Sequence, residues 1–181
     1  MNNNEARLMV LLNYMNSDVL KRYLHEVCSR NSFRTAIYNL PYLNPKEGSM
    51  FTHVLDVGSI VRAIWEMKEK SLNYDYLIVA SLLHEYKLFD ENLVNEFESY
   101  LKEKSLCENA ISLIINTVTA VNDEHENVLT TKTAESVIVR YAKKSAEIIS
   151  VCDTEAEVKD GQKYYVDYPR VPIFIRPITI K

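Results

Sequence analysis

The sequence predicts an all-α helical bundle ending in a short extended or β-hairpin arm, and three observations carry that expectation. Gly48, Gly58 and Gly161 are the only glycines in 181 residues, against a usual frequency of roughly 7 %. No proline stands between Pro45 and Pro169, and these two residue types are the main interrupters of a helical ladder. Within that stretch Val54, Val57, Ile60, Val61, Ile64 and Trp65 recur at i, i+3 and i+4, the stripe of an amphipathic helix.

Taken in order, the patterning predicts helices over 4–14, 17–38, 51–70, 74–87, 91–104, 107–121 and 133–157. Ser17 before Asp18, Asp90 after Phe89, and Thr133 before Ala134-Glu135 are residues of the N-cap type. The polar run Asn122-Asp123-Glu124-His125-Glu126-Asn127 reads as a loop. After Lys159-Asp160-Gly161 the character changes, with Pro169, Pro172 and Pro177 set among the β-favouring runs 164–166 and 173–175. The chain therefore divides into a helical domain, 1–158, and an arm, 159–181. The arm carries Val171, Ile173, Phe174, Ile175, Ile178 and Ile180 and is too short to bury them by itself. The arm must then lie either on the helical body of its own subunit or on a partner, and a homodimer through it is the favoured expectation.

Composition excludes several functions. Three scattered glycines cannot write a Rossmann fingerprint or a P-loop. A net charge of −4 and a pI near 5.6 provide no global basic field for long nucleic acid. Cys28, Cys107 and Cys152 form no CxxC pair, which excludes a zinc ribbon and argues against a disulfide framework. The N-terminal apolar run, Leu8 to Leu12, is too short for a signal core or a membrane span. No membrane partner and a cytoplasmic location are expected.

The chemistry-bearing residues are few. His53 opens one helix, and His84 is followed at once by Glu85 near the end of another. Imidazoles with a carboxylate suit divalent Mn, Fe, Co, Ni or Zn and leave positions open for water. Neighbouring residues on a helix point about 100° apart, so His84 and Glu85 reach one ion only from a helix end turned toward a cleft. Lys87, Arg62 and Lys68 are candidate phosphate clamps. Asp56, three residues after His53, either supports that imidazole or is a solvated helix charge.

Ser81-Leu-Leu-His84-Glu85 resembles the helix that names the HD-domain phosphohydrolases, typically small-Leu-Leu-His-Asp. His53, thirty-one residues upstream, is similar in position to that family's first histidine, and Asp153 in Ile148-Ile-Ser-Val-Cys-Asp153 to its late aspartate. The resemblance covers about residues 33–158. It implies an HD-like bundle in which His53, His84, Glu85 and Asp153 hold a divalent metal (Mn, Fe, Co, Ni, Zn or Mg). A small phosphorylated substrate, typically a nucleotide, would be hydrolysed there, with Glu85 and Lys87 in catalysis and Lys87 and Arg62 on the substrate. The chain departs from the pattern in having Glu85 for the central aspartate and Tyr86-Lys87-Leu88 where Gly-Lys is usual. In a second alignment Ala142-Lys143 takes the place of the late alanine-aspartate pair, putting a lysine at the fourth ligand position. A catalytically degenerate binding or interaction module is then the alternative.

Overall fold

The computed structural model describes residues 3–39, 47–68, 71–122, 133–159 and 162–165. Eight helices and two small hairpins account for most of them. The N-terminal pair is α1 (Asn3–Asn13) and α2 (Asp18–Ser29), the latter capped by Ser17, whose hydroxyl accepts from the Leu20 amide. Then come α3 (Asn31–Thr35) and an antiparallel pair, β1 (Ile37–Asn39) and β2 (Glu47–Ser49), in register Ile37 to Ser49. The helices α4 (Met50–Met67), α5 (Tyr74–Leu83), α6 (Leu93–Glu103), α7 (Glu108–Thr119) and α8 (Ala134–Glu155) complete the body. The chain ends its described part in the hairpin β3 (Ala156–Lys159) and β4 (Gln162–Tyr165). None of the described helices is long and apolar enough to cross a membrane.

The centre of the bundle is α5. Every one of its residues except Tyr76 is buried, as a helix that is apolar all round requires. It packs against α4, α7 and α8, and α4 in turn packs against α1, α5 and α8. Gly58 serves the α1–α4 contact, since a Cβ there would stand 2.7 Å from Leu11 Cδ1. Asp75, in the first turn of α5, is buried and accepts the backbone amides of Asn16 and Ser17 at 2.9 Å each. That carboxylate ties the α1–α2 turn to the central helix. Asp75→Ala is expected to lower stability by about 2 kcal/mol, the worth of hydrogen bonds to a charged group, measured as a shift in urea midpoint.

Three helical expectations are corrected. The stretch 17–38 breaks at Arg30, which is extended at φ −63°, ψ 137°; its guanidinium is drawn to Glu96 and Asp90. Helix also stops at Thr35, because the Ala36 carbonyl accepts the Met50 amide where the β1–β2 hairpin meets α4. The stretch 74–87 ends at Leu83, with a 3-10 turn over Tyr86–Leu88. The His84 carbonyl, which would receive the Leu88 amide in a continued helix, is taken by Asn122 Nδ2, and Leu88 bonds Glu85 instead. The last helix ends at Glu155 rather than 157. The expected loop 122–127 with His125, apart from Asn122, and the arm beyond Tyr165 to which the expected homodimer is assigned lie outside the described residues.

Candidate metal centre

Three elements converge. His53 sits in the first turn of α4, held there by the Ser49 cap, whose hydroxyl accepts the Thr52 amide. His84 is the C-cap of α5, and Glu85 follows at φ −92°, ψ 22°. The unwinding at Glu85 is what turns both side chains inward. From the third side, α8 approaches closely because Val139, Ala142 and Ala146 are buried, and it presents Lys143 and, one turn on, Glu147.

One nitrogen of each imidazole and a Glu85 oxygen lie within 4.8 Å of one another, and all three residues are buried. The two rings stand 5.6 Å apart, centroid to centroid. His84 is fully buried and its Nδ1 donates to the Ser81 carbonyl at 2.9 Å. A carbonyl only accepts, so that bond puts a proton on Nδ1 and leaves Nε2 as the ring nitrogen turned toward the cluster. This Nε2 faces Glu85 Oε1 at 3.4 Å. His53 Nε2, His84 Nε2 and Glu85 Oε1 are all buried without a hydrogen-bond partner among the described residues. Leaving such atoms unpaired costs roughly 1–3 kcal/mol each.

Lys143 is the one cation found against this cluster among the described residues. Its ammonium lies 2.5 Å from Glu85 Oε1, an ion pair made off the hydrogen-bonding direction, and donates to Asn122 Oδ1 at 2.8 Å. Burial alone would raise the Glu85 pKa, but contact with His84 and Lys143 outweighs it and holds the carboxyl below its usual range. For His53, burial pushes the pKa down to about 3; His84 and Lys143 add to that, and Glu85 opposes it. The imidazole of His53 is therefore neutral and ready to donate electrons. Tyr38 of β1 covers it, stacked at 3.8 Å and nearly parallel, and donates its hydroxyl to the buried Glu147 at 2.5 Å.

His53, His84 and Glu85 are thus brought together as the sequence led us to expect, with the helix end turned inward. The other expected members fare differently. Asp153 lies ten residues beyond Lys143 on α8, about 15 Å further along the axis at 1.5 Å per residue, and its side chain is outside the described residues. Lys143 stands at the carboxylate instead. Arg62 is nine residues after His53, about half a turn round the helix at 100° per residue. It pairs with Glu66, covers the Tyr14 ring at 4.2 Å, and lines a separate groove between α1 and α4 of about 360 Å³. Lys87 is exposed in the 3-10 turn, its ammonium 5.9 Å from the Tyr86 ring. Asp56 is a helix charge paired with Arg7 at 2.5 Å. Cys28 is a buried small hydrophobe, its thiol pushed up to about 12 by burial, whereas Cys107 is exposed.

Sequence reasoning passed over Tyr38, Asn122 and Glu147. Lys143 and Glu147 are spaced i, i+4, which ordinarily marks a solvated helix face. The signal against that reading was the small, apolar company of Val139, Ala142 and Ala146. No family model, curated protein or solved structure matches the chain.

Proposed function

We propose that the chain is a divergent HD-like phosphohydrolase whose His53, His84 and Glu85 hold one divalent metal, and whose substrate is a small phosphoester such as a nucleotide. The observation that supports this reading is the convergence of ligand atoms. Two imidazole nitrogens and a carboxylate oxygen, all buried and without a hydrogen bond among the described residues, lie within 4.8 Å of one another, a set that one shared cation can join. Two imidazoles and one carboxylate are a catalytic donor set with positions left for water. A divalent ion there would supply an acidified water and neutralise phosphoryl charge.

The chain's own groups have definite tasks in this reading. Ser81 orients His84 through Nδ1, in the manner of an outer partner that fixes a ligand's tautomer. Tyr38 holds the plane of His53 and excludes water from one face. A dication beside the single carboxylate of the set would leave the pocket net positive, which favours an anionic substrate. The acidic surface as a whole disfavours long nucleic acid.

The test is to strip the purified chain with chelator, reload it with Mn, Fe, Co, Ni, Zn or Mg, and measure metal per chain and phosphate release from a panel of nucleotides and simple phosphoesters. One ion per chain and metal-dependent release are expected. A chain that takes up no ion and releases no phosphate would sink the reading. The catalytically silent module would then stand, favoured by the Lys143 ammonium already lying 2.5 Å from the carboxylate.

A further inference from the structure

We infer that Lys143 is a built-in competitor for the cation position at Glu85, so that a divalent metal enters only by displacing the lysine. This rests on the metal reading of the same pocket and adds to it what sets the affinity. Two cations cannot share one buried carboxylate oxygen without strong repulsion at low effective dielectric. Lys143 already stands 2.5 Å from Glu85 Oε1, and its position is held from a second direction. Asn122 accepts the ammonium on Oδ1 at 2.8 Å and donates through Nδ2 to the His84 carbonyl at 2.5 Å. One amide therefore fastens the lysine to the very turn that carries two of the metal donors. Glu147, one turn further along α8, is engaged by the Tyr38 hydroxyl, and among the described residues the ammonium pairs with Glu85 rather than with it. The lysine side chain retains 20 % exposure, which gives the ammonium a way out to water when it is displaced.

Lys143 is in this account a residue that tunes the site through Glu85, and the readout is metal affinity rather than turnover. The metal-free full chain is titrated with Mn²⁺ by calorimetry, alongside Lys143→Met, Lys143→Gln and Lys143→Arg, and each protein is melted with and without Mn²⁺. The Met and Gln variants are expected to bind at least tenfold more tightly than the parent, and the Arg variant no more tightly. Mn²⁺ should also raise the Tm of the Met variant more than that of the parent, because its metal-free form buries Glu85 without a cation. A Met or Gln variant that folds only when Mn²⁺ is present counts for the inference. Equal or weaker affinity in both overturns it and leaves the metal reading standing if the parent binds. Binding by the Met variant but not by the parent supports the inference and overturns the metal reading for the native chain. Binding by none of the four overturns both.

Discussion

Glutamine in place of His84 is expected to abolish tight metal uptake and to lower metal-dependent phosphate release by more than about a hundredfold, while the chain remains folded. The size follows from position. Disturbing even an outer partner of a metal ligand costs 10–100-fold, and His84 supplies a donor atom itself, oriented by its Nδ1 bond to Ser81. Alanine would confuse the result, because His84 is fully buried and a cavity there costs a few kcal/mol. Glutamine keeps most of the volume and can still donate to the Ser81 carbonyl. Bound metal by mass spectrometry, phosphate release and a thermal melt decide the matter together. A His84→Gln protein with full metal content and unchanged release would remove His84 from the site and the proposed chemistry with it.

How far the sequence alone could go depended on whether local pattern and tertiary contact agreed. They agree through α4 and the body of α5, where apolar spacing and the absence of proline are decided within the segment, with Gly58 the one glycine between them. They disagree at Arg30, where ion pairs to Asp90 and Glu96 from across the fold break a run that reads as continuous helix. The same holds at Glu85, where Asn122, thirty-eight residues away from His84, takes the carbonyl that helix continuation needs. Of the site, His53, His84 and Glu85 were legible because histidines are rare here and their spacing is distinctive. Lys143 was legible only as a rival to Asp153, and Glu147 and Tyr38 not at all. A lysine and a glutamate one turn apart look like solvent-facing charges until α8 is seen to lie with Ala142 and Ala146 against the bundle.

Acidification should expose the second large effect, a loss of stability carried by His53. In the unfolded chain this imidazole titrates near 6.5, whereas burial holds it down to about 3 in the folded protein. The unfolded state therefore binds the proton first. The stabilisation is complete above pH 6.5 and falls as pH drops toward 3, by about 1.4 kcal/mol per pH unit and up to about 5 kcal/mol in all. The carboxyl of Glu85, held below its ordinary value, loses its own contribution only at pH below the usual 4.5, so the interval from pH 6.5 to 5 isolates the histidine from it. Urea unfolding of the metal-free chain at pH 7 and pH 5 should differ by about 2 kcal/mol more in the parent than in His53→Gln, which has no proton to take up. The ring's stack on Tyr38 at 3.8 Å means the variant starts lower at pH 7, but its dependence on pH should be shallower. Parallel pH profiles in the two proteins would show that His53 is not held neutral by the fold. They would also take away the neutral, unpartnered imidazole on which the donor set depends.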